Sequence, residues 1–300
     1  MSAEAGEERP GTAVLAQVPL GGSELRVSVL GLGCMVLSGT YGTPDADESV
    51  ATFDLALDLG VTLLDTADSY SAGDNERLIG RLLQGRRDGV VLSSKMGLVP
   101  GPSGPAVDAR PERVPACIDG SLERLGVDHL DLWYLHRVDR RVPIEETVGA
   151  MAEQVRAGKV LHLGLCEVSP DELRRAARVH PIAALQSEWS LVGREIERGC
   201  VAAARELGAG LVPFSPLGRG FLNGAITSSS RFTPPDPRAR DPRFAPPHLD
   251  HNLELLDVLR KVAAARGATT GQVALAWLKA QGPDVVPIPG AERRSFLREA

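Results

Sequence analysis

Four side chains in this 300-residue sequence have types that together can move a proton: Asp65, Tyr70, Lys95 and His136. A free tyrosine, with a pKa of about 10, is too weak an acid–base group at neutral pH. A neighbouring ammonium stabilises its phenolate and lowers that pKa. Lys95 supplies the ammonium, and Asp65 can hold Lys95 by an ion pair. His136 can donate a hydrogen bond to a substrate oxygen and orient it. The set amounts to a general acid beside an electrophilic carbonyl. Each residue alone has a plainer use. A lysine at a strand end is usually a solvated charge. Asp65 before Thr66 suits a loop cap. A lone histidine is more often packed at a rim than catalytic, and Tyr70 by itself means little. The chemistry therefore rests on where the four fall in the fold.

Short apolar runs at 30–35, 61–65, 90–94, 130–135, 160–165, 183–186, 210–214 and 285–288 read as strands buried on both faces. Helical patterns lie between them. Segment 48–59 carries Val50, Phe53 and Leu57 on one face, and 111–125 opens on Pro111. Segment 144–157 stops at Gly158, and 253–266 and 270–280 follow later. Ser169-Pro170-Asp171-Glu172 is a helix start: a capping hydroxyl, proline in the first turn, then acids near the positive dipole end. Eight strands alternating with helices over this length predict an α/β fold, a (β/α)8 TIM barrel. An N-terminal β-hairpin precedes it, with segments 13–19 and 25–30 flanking Gly21-Gly22-Ser23. An open doubly wound sheet would need a third glycine after Gly31-Leu32-Gly33, where Val36 stands. Residues 1–11 read as a flexible tail and 12–300 as one barrel domain. A long loop around 219–250 is rich in proline, serine and arginine and suits the barrel mouth. Active sites of such barrels lie at the C-terminal ends of the strands. Asp65, Lys95 and His136 end the second, third and fourth strands, and Tyr70 follows Asp65 by five residues.

Several segments resemble the aldo-keto reductase superfamily. Leu64-Asp65-Thr66-Ala67-Asp68-Ser69-Tyr70 and Asn75-Glu76-Arg77-Leu78-Ile79-Gly80 are similar to its signature around the aspartate and tyrosine. Val91 to Lys95 resembles its lysine strand, Asp128 to His136 its histidine strand, and Gly158 to Leu165 the next strand. The likeness runs from about Leu30 to Glu299. It implies an NADP(H)-dependent oxidoreductase that reversibly reduces an aldehyde or ketone to an alcohol. Tyr70 would be the general acid, Lys95 and Asp65 its tuning pair, and His136 the orienting group.

The resemblance also implies cofactor contacts. Gly33, Cys34 and Met35 lie where the family's first strand meets the nicotinamide ribose. Cys166, Glu167 and Gln186 stand at the carboxamide positions. Phe214 would stack on nicotinamide, and Ser215, Leu217, Gly218 and Arg219 would cover pyrophosphate. Gly290, Arg293 and Arg294 would hold the adenosine 2′-phosphate, and Glu299 the adenine side. Two departures from the family stand out. Cys166-Glu167 replaces a common Ser-Asn, and cysteine hydrogen-bonds more weakly. The sequence stops at Ala300, inside the helix after the eighth strand, without the usual further helix and tail. The expected substrate pocket is therefore open, walled by loops 36–41, 70–74 and 137–141.

The net charge of −6 carries no basic surplus for nucleic acid or anionic membranes. Cys34, Cys117, Cys166 and Cys200 form no C-x-x-C pair and no metal spacing, so no metal is expected. No apolar run approaches the ~18 residues of a membrane span, and no signal peptide is evident. A cytoplasmic protein acting on a small carbonyl compound is the expectation, with an oligomeric partner left open. Two alternatives share the fold: an NADP(H)-binding regulatory subunit with little turnover, and a secondary-metabolism enzyme acting on a complex intermediate.

Overall fold

The computed structural model describes residues 14–101, 104–234 and 236–300. The tail expected at 1–11 and the first residue of the expected hairpin lie outside them. The hairpin pairs β1 (Gln17–Pro19) with β2 (Arg26–Ser28), Val18 opposite Val27. Gly21 turns the chain at φ +59°, and a Cβ there would sit 2.3 Å from the Gly210 amide nitrogen. The hairpin therefore lies flush on the barrel floor. Its buried Leu20, Leu25 and Val27 join Leu63, Val91, Leu132, Val212, Val286 and Ile288 in the barrel interior. This closes the end opposite the expected site.

The strands that follow are β3 (Leu32–Gly33), β4 (Leu63–Asp65) and β5 (Val91–Met96). A small hairpin of β6 (Leu98–Val99) and β7 (Ala106–Val107) comes next; the sequence pattern did not indicate it. Then come β8 (Leu130–Leu135), β9 (Val160–Cys166), β10 (Ile182–Glu188) and β11 (Gly210–Phe214). Strands β3, β4, β5, β8, β9, β10 and β11 form one parallel sheet in that spatial order.

The eighth strand expected at 285–288 is reduced to a single bridge, Leu211 with Val285. The reason is proline. Val286 and Ile288 donate to Leu211 and Pro213 at 2.8 and 3.0 Å. Pro287 and Pro289 have no N–H to give and only accept, from Gly31 and Gly33 at 2.9 and 3.0 Å. The segment still bonds to β11 on one side and β3 on the other, so the barrel closes. The expected first strand at 30–35 is also shorter. The chain leaves the sheet after Gly33 and makes a 3-10 turn, Cys34–Ser38, ended by Gly39 at φ +97°.

Helices α1 (Ala46–Asp58), α2 (Asp74–Leu82), α3 (Val114–Leu125), α4 (Ile144–Arg156), α5 (Pro170–Ala177) and α6 (Cys200–Glu206) alternate with the strands. After β11 come α7 (His248–Arg266), α8 (Thr270–Lys279) and the short α9 (Arg294–Glu299). Ser169 and Glu172 form a reciprocal capping box on α5, as the sequence indicated. Helix α7 starts five residues before the expected 253. The long loop holds two 3-10 turns, Pro237–Arg240 and Pro242–Phe244. It is tied across the barrel mouth, because the Arg238 guanidinium lies 4.4 Å from the Tyr41 ring and 4.3 Å from the Phe232 ring. Arg238 also forms a two-pronged bond to Asp236.

Inside the barrel, Gly164 lets β9 pass Tyr134, a fully buried side chain. A Cβ at Gly164 would stand 2.4 Å from the Tyr134 ring. Overpacking of this kind costs about 1–3 kcal/mol. Gly164→Ala should lower the unfolding free energy by that amount in urea titration; an unchanged midpoint would show that the ring can move aside.

Candidate active site

Three strand ends bring the acid–base set together. Lys95 has no exposed surface, and Asp65 is almost fully buried. Lys95 Nζ is ion-paired with Asp65 Oδ1 and donates to the Thr66 carbonyl at 2.8 Å and to Tyr70 Oη at 3.1 Å. Its three donors are thereby used. Strand alternation points Ser93 inward beside Lys95, and Ser93 Oγ donates to Asp65 Oδ2 at 2.9 Å. Thr66 and Ser93 were not among the residues expected from sequence. The period-two spacing of Ser93 from Lys95 was the available signal. His136 is buried at the end of β8; its Nδ1 lies 3.4 Å from Ser69 Oγ, and its ring stands edge-on to Tyr70 at 5.8 Å.

Burial sets the protonation states. The Tyr70 phenol is pushed above its ordinary pKa by desolvation; the Lys95 ammonium pulls it down without offsetting that rise. This corrects the expectation of a net lowered tyrosine. Lys95 is held charged: the attraction of Asp65 and Tyr70 outweighs the cost of burial. His136 is held neutral, first by burial and then by repulsion from Lys95 and Arg137.

Other expected residues are placed as follows. Gln186 is buried at the mouth end of β10, and its Nε2 donates to Asp65 Oδ2 at 2.8 Å. Its amide nitrogen is thus engaged within the site, leaving Oε1 as the atom for an outside donor. Cys166 is buried beside Lys95, and burial pushes its thiol up to about 12. Glu167 takes φ +52°, and its carboxylate accepts the Glu188 amide at 2.7 Å. The Cys34 side chain is fully buried, and Met35 is half-buried. A Cβ at Gly33 would stand 2.9 Å from the Ile288 carbonyl, so the backbone there is in close contact.

Phe214 packs at the upper edge of the barrel interior. In the loop after it, Ser215, Gly218, Arg219 and Gly220 all have positive φ. Among the described residues, the N–H groups of Leu217, Arg219 and Gly220 meet no protein acceptor. Arg219 Nε, 3.8 Å from Asp241, and Arg243 Nη1, beside Gly218, are buried without a hydrogen bond.

Near the C-terminus, Gly290 packs against Val36. Arg293 and Arg294 differ in occupancy. Arg294 forms a two-pronged pair with Glu48 of α1, whose carboxylate also accepts the Arg294 amide. Arg293 meets no acid among the described residues and lies over the Phe296 ring at 6.0 Å. Glu299, in α9, reaches Gly271 at the start of α8. Neither the Phe214–Gly220 stretch nor this C-terminal group is hydrogen-bonded to the four-residue centre. Among the described residues, no helix is long and apolar enough to cross a membrane, and no group of ligands is placed to hold a metal ion.

The fold and this centre define a class: a parallel α/β barrel with a buried Lys–Asp pair beneath a tyrosine and a neutral histidine. The Aldo/keto reductase family model matches residues 29–300. The chain belongs to that family and is an oxidoreductase. It is 43% identical over 284 residues to "Probable aldo-keto reductase 1" of Glycine max, covering 94% of this chain and 82% of that protein. It is 41% identical over 280 residues to the NADP(+) aldo-keto reductase yakc of Schizosaccharomyces pombe, covering 91% and 82%. Among solved structures, it is similar to a glycerol dehydrogenase of Gluconobacter oxydans at a TM-score of 0.84 and 30% identity, covering 94% and 88%. A holo-form aldo-keto reductase of Bacillus halodurans aligns at 0.79 and 27%, covering 95% and 89%.

Asp68 offers a test of the electrostatics around this centre. Burial, reinforced by Glu76, raises its carboxyl to about 7, and its Oδ1 has no hydrogen-bond partner. A carboxyl raised in the folded state destabilises the fold as pH climbs from about 4, its unfolded value, through 7. Asp68→Asn should therefore raise Tm by about 2–4 °C at pH 8. The gain should vanish towards pH 4. A gain independent of pH, or none, would contradict the assignment.

Proposed function

We propose that this chain catalyses the reversible NADPH-dependent reduction of an aldehyde or ketone to an alcohol, with Tyr70 as the general acid. The observation that carries the reading is the 3.1 Å hydrogen bond from buried Lys95 to Tyr70 Oη. The yakc relative is named as NADP(+)-dependent.

The residues of this chain fit such a dinucleotide. Successive backbone N–H groups in a turn with positive φ make an anion-binding concavity. The loop at 215–220 has that form, and Arg219 Nε, ion-paired with Asp241 but without a hydrogen bond, adds a donor for a pyrophosphate. Gln186 Oε1 is left to accept from a carboxamide. Arg293 would hold the 2′-phosphate, since Arg294 is neutralised by Glu48. When bound, NADPH supplies the hydride and NADP(+) takes it back in the reverse direction.

The chain's own residues handle the proton. Tyr70 Oη, protonated at neutral pH, gives its proton to the carbonyl oxygen. The Lys95 ammonium stabilises the phenolate left behind, and Asp65 fixes the ammonium. To donate to the same oxygen and orient it, neutral His136 must carry its proton on Nε2, the tautomer in which Nδ1 would accept from Ser69 Oγ, 3.4 Å away.

Tyr70→Phe keeps the ring and removes the proton. Carbonyl-dependent NADPH consumption across a panel of aldehydes and ketones should fall ~10²–10⁴-fold, with coenzyme affinity unchanged. Wild-type turnover by this variant would refute the role of Tyr70. Coenzyme binding without turnover by the native chain would instead favour a regulatory subunit.

Coenzyme choice separates the two arginines. Arg293→Ala should weaken NADPH binding far more than NADH binding in fluorescence titration, and Arg294→Ala should affect the two coenzymes alike. Equal losses for the two coenzymes in Arg293→Ala would show that its guanidinium does not read the 2′-phosphate.

A further inference from the structure

The second half of the tyrosine signature, which begins at Asn75, has no part in the proton transfer just described. Its first residue is fully buried in the first turn of α2. Thr66 Oγ1 donates to Asn75 Oδ1 at 2.5 Å. Asn75 Nδ2 donates to the Cys34 carbonyl and to Ser38 Oγ, each at 2.8 Å. The Cys34 carbonyl can only accept, so the orientation of the amide is fixed.

These bonds lead to both ends of the Lys95–Tyr70 contact. On the lysine side, the carbonyl of Thr66 takes one of the three protons of Lys95 at 2.8 Å. On the tyrosine side, Ser38 Oγ lies 2.9 Å from Ser71 Oγ, and Ser71 Oγ donates to the Ser38 carbonyl at 3.1 Å. Ser71 follows Tyr70 directly. Ser71 and Ala72 take φ of +49° and +53°, a left-handed pair that is costly for residues with a Cβ. A turn of that shape persists only where its surroundings hold it. The Ser38–Ser71 bonds are the side-chain contacts that hold it here.

We propose that Asn75 is a positioning residue that sets the Tyr70–Lys95 hydrogen bond, acting on the lysine end through Thr66 and on the tyrosine end through Ser38 and Ser71. The proposal rests on Tyr70 being the general acid. Asn75 touches neither Tyr70 nor Lys95, so its effect is on their separation and direction. A shift of about 1 Å in a reacting group can cost ~10²-fold in rate. The oxidation direction is the more sensitive, because there Tyr70 must act as the phenolate that Lys95 stabilises.

The test uses the full chain with NADPH and a carbonyl that it turns over, and compares wild type, Asn75→Ala, Ser71→Ala and the double variant. Asn75→Ala should lower kcat ~10–100-fold and leave the coenzyme Kd unchanged. The rising limb of alcohol oxidation should move to higher pH. Ser71→Ala, at an exposed position, should lower kcat ~3-fold. The double variant should be no slower than Asn75→Ala, because both changes cut one chain of bonds.

An unchanged kcat in Asn75→Ala would overturn the proposal. So would a parallel loss of coenzyme binding with additive effects in the double variant, which would mark Asn75 as a support of the fold alone. If Asn75→Ala does not fold, Ser71→Ala and Ser38→Ala decide. A lowered kcat with unchanged coenzyme affinity supports the tyrosine-side link, and an unchanged kcat removes it. Turnover that survives Tyr70→Phe would instead sink the general-acid reading, and the positioning role with it.

Discussion

The site depends on one buried ion pair, Lys95 with Asp65. Two charges removed from water are costly, and their attraction compensates only when their remaining hydrogen-bonding capacity is also met. Here it is met from several strands. Lys95 also bonds to Thr66 and Tyr70, and Asp65 Oδ2 accepts from Ser93 and Gln186. Those residues come from β5, β10 and the segment after β4. They converge only because the sheet curls round on itself. The floor hairpin and the extended segment that closes the sheet at 285–289 thus serve the same end as the charged residues: a dry interior in which the pair is satisfied.

That dryness also sets the protonation states. An ammonium beside a phenol in water would draw the phenol's pKa down. In this interior, desolvation of the phenolate is the larger effect, and Tyr70 keeps its proton. A neutral His136 follows from the same burial and the same nearby cation. Tyr70 then keeps an O–H to donate, and neutral His136 does not compete with Lys95 as a second positive charge.

Much of this was legible in the sequence because it is periodic. Strands buried on both faces leave apolar runs, and reactive residues at their ends stand out against those runs. Asp65, Lys95 and His136 were found that way. What failed to show was whatever depends on contacts distant in sequence or on backbone donors. Cys34 to Leu37 is as apolar as a strand, yet it is turned out of the sheet, with its first carbonyl held by Asn75. Pro287 and Pro289 sit within an apolar run and thin the last strand to a single bridge. The start of α7 is polar around His248, Asp250, His251 and Asn252, so no apolar stripe announces it. Arg293 and Arg294 look equivalent in sequence. Only the pairing of Arg294 with Glu48, 246 residues away, distinguishes them. The direction of the tyrosine shift could not be read either, because burial has no local signature.

Tyr70 holds its proton through the neutral range despite the ammonium beside it. An ultraviolet difference titration of wild type against Tyr70→Phe measures this directly, since only the former can ionise at that position. No tyrosinate absorbance is expected from Tyr70 below pH ~10, the ordinary tyrosine value. Tyrosinate that appears near neutrality in wild type and is missing from Tyr70→Phe would contradict this protonation state.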